Sequence, residues 1–161
     1  MAKSRKQPTP ALEVASKAGV AFAVHEYEHD PSHESFGLEA AEKTGIEAER
    51  IFKTLITSTG GRLVVGVVPV NRQLDLKALA KAVGEKSAQI ADVSVAERTT
   101  GYIVGAISPL GQKKRLTTVI DQSALEHETV YVSAGRRGLE IELSPADLIA
   151  LTGVTTALVA R

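Results

Sequence analysis

The chain has 161 residues, contains 19 lysines and arginines against 19 aspartates and glutamates, and has no cysteine. The absence of cysteine excludes disulfides, thiolate nucleophiles, iron–sulfur clusters and cysteine-ligated zinc. A formal charge of zero disfavours DNA as a partner, because binding along a phosphate backbone needs excess positive charge. The most apolar stretch, residues 63–70, is far shorter than the ~20 residues of a membrane helix, so we expect a cytoplasmic protein without a membrane partner.

The first half of the chain carries signals for helices and strands that end at glycine or proline. The polar and basic segment 1–8 predicts a flexible tail. Thr9 followed by Pro10 predicts a helix start, because threonine caps helices and proline fits the first helical position. In chain order we predict a helix from Pro10 to Gly19, a strand over 20–29, a helix over 38–43, strands over 50–58 and 63–70 joined by a turn at 60–61, and a helix from Asp75 to Gly84.

The second half adds more strands than helices. We predict a helix over 92–99, strands over 102–107, 117–120, 130–133 and 139–143, a helix from Ser144 to Gly153, and a last strand over 155–159. Strands outnumber helices and do not alternate with them, which favours an α+β fold with a mixed, largely antiparallel, partly barrel-like sheet flanked by helices. With no internal repeat or linker, we expect a single domain over 9–161.

Lys53 is the most unusual residue of the predicted strands. It shares one strand face with Ile51 and Leu55, and the opposite face carries Phe52 and Ile56, so a cation stands among apolar side chains. One interpretation is a lysine on an edge strand that reaches water. The other is a cation inside a pocket with apolar walls, where it binds a phosphate or orients a carbonyl.

Two further patterns give weaker indications. His25, His29 and His33 are spaced by four residues, but on a strand the first two lie ~13 Å apart, so we predict no metal site. The segment 105–113 (GAISPLGQK) departs from the G-x-x-x-x-G-K-[ST] phosphate loop. It is either a strand end and turn, or a place where the small residues Gly105 and Ala106 let a ligand approach the backbone.

A group of basic residues has two interpretations. Charge runs are usually solvated surface, but they also form rims that bind phosphates weakly. The residues of this group are Lys113, Lys114, Arg115, Arg136 and Arg137.

Several segments, in order along most of the chain, resemble the YbaK/EbsC family of trans-editing aminoacyl-tRNA deacylases. They are residues 27–31 (YEHDP), 36–37 (FG), 52–55 (FKTL), 68–70 (VPV), 73–77 (QLDLK), 100–115 (TGYIVGAISPLGQKKR) and 131–140 (YVSAGRRGLE). The long block 100–115 is specific to this family. The resemblance is strongest to the subgroup that acts on Cys-tRNA(Pro) and Cys-tRNA(Cys), and it extends to the editing insertion domain of prolyl-tRNA synthetases, which removes alanine.

The resemblance implies a pocket for the aminoacylated 3′-terminal adenosine of tRNA. The essential lysine of the family falls on Lys53, and the backbone N–H groups near Gly105 are expected to face the developing oxyanion. The substrate-binding residues implied are Tyr27, Phe36, Thr54, Ala106, Ser133 and Glu140. At Glu140 the family pattern has an aspartate, and at Ala106 a glycine.

The resemblance also implies a reaction that needs neither a metal nor another cofactor. The thiol of the bound cysteine attacks its own ester carbonyl, so the protein supplies no nucleophile. Prolyl-tRNA synthetase is the implied docking partner. Two alternatives stay open: a deacylase for Ala-tRNA(Pro) or another aminoacyl-tRNA, and a non-catalytic module that binds tRNA ends or a synthetase.

Overall fold

The computed structural model describes residues 8–33 and 35–161. Nearly all of the tail predicted over 1–8 therefore lies outside the described residues. The described helices are α1 (Pro10–Ala18), α2 (Phe36–Thr44), α3 (Leu76–Ala82), α4 (Val93–Thr100) and α5 (Pro145–Thr152). The described strands are β1 (Phe22–Glu26), β2 (Phe52–Thr59), β3 (Arg62–Pro69), β4 (Gln89–Ile90), β5 (Thr117–Asp121), β6 (Val130–Arg136), β7 (Leu139–Leu143) and β8 (Thr155–Ala157).

Side-chain caps fix where most of the helices begin. The hydroxyl of Thr9 accepts a hydrogen bond from the Leu12 N–H, and Pro10 is the first residue of α1. Ser35, Asp75 and Ser144 cap α2, α3 and α5 in the same way. A cap of this kind satisfies an N–H that the helix itself leaves unpaired. None of the helices in the described ranges is long and apolar enough to cross a membrane.

The strands form two sheets. The larger has the order β4-β2-β3-β5-β8, with antiparallel pairing around β2 and parallel pairing around β5. The smaller, β1-β7-β6, is antiparallel. A parallel bridge between Ile51 and Tyr131 joins them. The predicted α+β class and the mixed, largely antiparallel pairing are confirmed, whereas the partly barrel-like character of the sheet is not.

The main core lies between the two sheets. Phe52 and Ile56 of β2 belong to the same buried cluster as Val132 of β6 and Ile141 of β7, and α1, α4 and α5 contribute to it. β3 is covered on both faces, because its alternate residues enter a second cluster with Leu79 of α3. Burial on both faces explains why β3 has a continuous apolar sequence.

The strand predicted over 102–107 is wrong. Residues 103–106 instead form a turn in which the Ala106 N–H donates to the Ile103 carbonyl at 2.9 Å. Side chains, rather than a neighbouring strand, pair with backbone groups of this region. The Val104 N–H donates to the Glu97 carboxylate at 2.9 Å, and the Tyr102 hydroxyl donates to the Leu110 carbonyl at 2.7 Å. Residues 103–106 are therefore a loop and not a strand, and this loop forms part of the candidate functional site.

Candidate functional site

A cavity of about 380 Å³ opens beside the first half of β2. β4 pairs with Thr57 and Ser58 of β2, so none of the described strands extends the sheet beside the part of β2 before them. The cavity is closed there by the start of α2, the turn at 103–106 and the β6–β7 hairpin. Its polar lining side chains are Tyr27, Ser35, Lys53, Thr54, Ser133 and Glu140.

Lys53 lines this cavity from the middle of β2, where it lies opposite Val68 of β3. The side chain is half-buried, and burial lowers the pKa of its ammonium. Across residues 8–33 and 35–161, no hydrogen-bond or ion-pair partner of this ammonium is found. A cation held in an apolar cavity without a partner is free to bind an oxygen of a ligand.

Two buried polar groups line the cavity, and one of them lacks a partner in the described parts of the chain. The hydroxyl oxygen of Thr54 is buried without a hydrogen bond. Glu140 of β7 is 8% exposed, and burial raises the pKa of its carboxyl to about 8. At neutral pH this carboxyl is therefore protonated and can donate a hydrogen bond. Buried polar groups are nearly always satisfied, so the Thr54 hydroxyl points to a polar ligand in the cavity.

Tyr27 and Phe36 form a second wall. Burial, together with the charges of Glu140 and Glu39, raises the pKa of Tyr27 to about 12, so its hydroxyl stays a hydrogen-bond donor. The Phe36 ring lies against Gly105, which has φ +91°, and a Cβ built on Gly105 would lie 2.8 Å from that ring. Glycine at this position therefore allows the turn to pack directly on the aromatic wall.

Ser133 and Ala106 hold the turn instead of facing the cavity with free groups. The Ser133 hydroxyl donates to the Ala106 carbonyl at 3.0 Å and accepts from the Gly135 N–H at 3.1 Å. Ala106 is fully buried and is not a lining residue, and its N–H is used within the turn. The described contacts of Ala106 are thus made within the turn, and its contact with a ligand stays a prediction. The Gly105 N–H has no such bond with the described residues.

A comparison with known protein families gives a match over most of the chain. The model of the aminoacyl-tRNA editing domain matches residues 33–151, which include most of the cavity lining. The chain belongs to the aminoacyl-tRNA editing domain family.

Individual relatives cover the editing domain to different extents. This chain is 42% identical over 153 residues to EbsC of Enterococcus faecalis, which is described as a proposed Cys-tRNA(Pro)/Cys-tRNA(Cys) deacylase. The match covers 93% of this chain and 92% of that relative. A proline–tRNA ligase of Thermoanaerobacter sp. X514 is 28% identical over 100 residues, which are 61% of this chain and 18% of the ligase. A crystal structure of a proposed trans-editing enzyme for prolyl-tRNA synthetase shares the fold, with a TM-score of 0.82 and 24% identity. The superposition covers 100% of this chain and 99% of that one.

The basic residues of the editing domain do not gather in one patch. Lys113, Lys114 and Arg115 are exposed and do not line the cavity, and Arg115 borders a separate cavity of about 230 Å³ next to α5. Arg136 and Arg137 border an open cleft together with Glu26 and Glu28. The two groups therefore remain separate predictions as phosphate contacts.

His25, His29 and His33 each pair with a different carboxylate. His25 contacts Glu142 at 2.9 Å, and His33 contacts Glu42 at 3.1 Å. Over the described ranges, no three histidines, aspartates or glutamates are grouped so that they could hold a metal ion.

Glu39 is the residue near the site that sequence reasoning missed. Its side chain is fully buried in α2 and accepts hydrogen bonds from His29 at 2.7 Å and from the Asp30 N–H at 2.6 Å. Burial raises the pKa of Glu39, but these bonds and that of Lys43 outweigh burial and lower it. The spacing of Glu39 and Lys43 by four residues was the only available signal, and it is also typical of exposed helix pairs.

Proposed function

We propose that this editing domain is a deacylase that removes cysteine from mischarged Cys-tRNA(Pro), and also from Cys-tRNA(Cys). The observation that carries the proposal is the partnerless ammonium of Lys53 in a cavity of about 380 Å³, a size within the ~300–1,000 Å³ range of small-molecule pockets. The identity of 42% with EbsC over most of both chains supports the choice of cysteine.

The bond to be cleaved is the ester between the amino acid and the terminal ribose of the tRNA. The sulfur of the cysteine forms a bond to the ester carbonyl carbon, and the bond from that carbon to the ribose oxygen breaks. The thiol proton ends on the ribose oxygen, and the cyclic thioester that leaves is hydrolysed to cysteine by water. An ester needs only orientation and stabilisation of the oxyanion for this reaction.

The cavity residues divide these tasks. Lys53 binds ribose or phosphate oxygens of the terminal adenosine, and the N–H of Gly105 faces the oxygen of the carbonyl as charge develops on it. Thr54, Tyr27 and Glu140 offer hydrogen bonds to the ribose or the amino group. Phe36 walls the cavity, while Ser133 and Ala106 hold the turn that carries Gly105.

The aminoacylated tRNA end is the substrate partner, and we extend the proposal to docking on prolyl-tRNA synthetase. The match to a proline–tRNA ligase supports a shared substrate. Docking would supply the tRNA selectivity that a chain without net charge lacks. A cytoplasmic location, where tRNA is charged, remains a prediction.

The test is deacylation of tRNA(Pro) charged with cysteine, serine, alanine or S-methylcysteine. We expect rapid loss of cysteine only, because the other three side chains carry no thiol. Lys53→Ala should reduce kcat/KM by ~10²-fold or more, because the ester is no longer held in the geometry that the attack needs. Lys77→Ala, an exposed lysine on α3, is the control and should change little.

The other outcomes separate the alternatives. Preferential release of alanine would make the protein an Ala-tRNA(Pro) deacylase. Release of S-methylcysteine as fast as cysteine would exclude attack by the thiol. Tight binding of all four tRNAs with no cleavage, unchanged by Lys53→Ala, would make the protein a binding module.

A further inference from the structure

Arg137 connects the start of α2 with the turn at 103–106. These two elements line the cavity and are called the cavity mouth. It lies in the hairpin between β6 and β7, and its side chain is exposed. One guanidinium nitrogen donates to the Val104 carbonyl at 2.6 Å. The same guanidinium lies over the Phe36 ring, with its carbon 4.7 Å from the ring centroid.

Both contacts are made to residues of the cavity lining. Val104 and Gly105 belong to the turn at 103–106, and Phe36 is the first residue of α2. The turn and the ring already touch, because Gly105 packs on Phe36. Arg137 therefore holds the turn and the ring together at the point where they meet.

The Phe36 ring has a third neighbour outside α2, besides Arg137 and Gly105. The ring of His29 lies 5.6 Å from it, and His29 is fixed by the hydrogen bond to the buried Glu39. The position of Phe36 is thus determined by Arg137, His29 and the turn, as well as by its own helix. Loss of any of these contacts should change the shape of the cavity mouth.

Arginine is suited to this position because its planar group can stack on a ring and donate in its own plane at the same time. A lysine would keep the charge but could not reproduce both contacts with one group.

We propose that Arg137 is a positioning residue of the deacylase, which fixes the turn carrying the Gly105 N–H against the Phe36 wall. The inference rests on the proposed function. It differs from the prediction that Arg137 contacts a tRNA phosphate, since its guanidinium is engaged with the protein at the cavity mouth. A residue that positions the site acts mainly on kcat, whereas a phosphate contact acts mainly on KM.

The experiment compares two substrates, Cys-tRNA(Pro) and 3′-cysteinyl adenosine, which has no phosphate. We expect Arg137→Ala to lower kcat about tenfold on both, which corresponds to about 1.4 kcal/mol, with KM changed less than kcat. Arg137→Lys should not restore kcat. The control is Arg72→Ala, because Arg72 is also exposed and donates to a backbone carbonyl, that of Ala160 at 3.0 Å, but does not line the cavity.

The opposite results would overturn the inference. A defect of Arg137→Ala that is confined to the tRNA substrate, appears in KM and is repaired by lysine would make Arg137 a phosphate contact. Activity equal to that of wild type and Arg72→Ala on both substrates would show that the contacts have no effect on the site.

A measurement without catalysis separates this inference from the proposed function. If the wild-type protein cleaves neither substrate, the proposed function fails, and amide hydrogen exchange still tests Arg137. We expect the Ala106 N–H, which is bonded to Ile103, to exchange faster in Arg137→Ala than in Arg72→Ala. Equal exchange rates would contradict a role for Arg137 in holding the turn.

Discussion

Glu140 and Glu142 lie two residues apart on β7, and their carboxyl pKa values are shifted in opposite directions. Burial raises the pKa of Glu140 from 4.5 to about 8. Burial also raises the pKa of Glu142, but hydrogen bonds from Thr129, His25 and Tyr131 outweigh it, and the pKa is lowered. Two residues of the same type on the same strand therefore respond to what surrounds them, because one enters the cavity and the other meets polar partners.

We expect Glu140→Gln and Glu142→Gln to change the pH dependence of stability with opposite signs. The unfolded chain ionises Glu140 above about pH 4.5 while the folded protein keeps its proton up to about pH 8. The stability that protonated Glu140 gives is thus complete below pH 4.5 and lost as the pH rises to 8. Glu140→Gln does not undergo this loss, so its free energy of unfolding should gain on wild type between pH 5 and 8.

For Glu142 the stability is present above the ordinary carboxyl pKa and lost as the pH falls through its lowered pKa. The advantage of wild type over Glu142→Gln should therefore shrink in acid. Urea unfolding at pH 3 to 8 measures both effects. Differences from wild type that do not vary with pH in either variant would contradict these titrations.

At the residue scale, the sequence predicts what a local pattern can show. Lys53 is noticeable because a cation interrupts an apolar strand, and the structure places it at the cavity. Glu39 is not noticeable, because its sequence neighbours are those of an ordinary helix surface. Residues 29–30 bind it from outside α2, and a contact between separate parts of the chain leaves no local pattern in the sequence.

At the element scale, helix starts depend on local sequence signals, whereas strands depend on pairing with other parts of the chain. The starts of α1, α3 and α5 follow from the capping side chain that directly precedes each helix, so the sequence predicts them. Residues 102–107 are as apolar as a strand, yet none of the described strands pairs with them. Their backbone forms hydrogen bonds within a turn and with Glu97. β4 has two residues and depends on β2 alone, so no periodicity could indicate it.

Gly105 allows the geometry of the turn to be tested. Alanine at φ +91° is strained, and its Cβ would displace the Phe36 ring. We expect Gly105→Ala to cost roughly 1–3 kcal/mol of stability and to lower kcat/KM by about tenfold or more, because the wall and the N–H move. Thermal unfolding and deacylation measure the two effects.

Gly61→Ala is the matched control for this substitution. Gly61 lies in the β2–β3 turn with φ +80°, and a Cβ there meets nothing within 4 Å. It should lose similar stability through backbone strain and keep its activity. Equal activity losses in both variants would mean that stability, and not the cavity mouth, explains the effect at Gly105.

At the scale of the whole molecule, the charges are balanced and spread. Cations and anions number 19 each, so long-range attraction of tRNA is weak. Recognition must then depend on local contacts, and we expect the cavity to supply those to the terminal adenosine. The exposed residues Lys113, Lys114 and Arg115 are the candidates for contacts further along the tRNA.

The salt dependence of kcat/KM tests these contacts on the intact protein. Each phosphate contact on a duplex contributes about 0.9 to the slope of log affinity against log salt concentration. We expect the triple variant Lys113→Gln, Lys114→Gln, Arg115→Gln to reduce the slope for Cys-tRNA(Pro) by about one unit or more, and to leave 3′-cysteinyl adenosine unaffected. The control replaces three other exposed lysines, Lys77, Lys81 and Lys86, by glutamine. Because the control removes the same charge, an equal change of slope in both triple variants would show that net charge, and not contact at 113–115, governs tRNA binding.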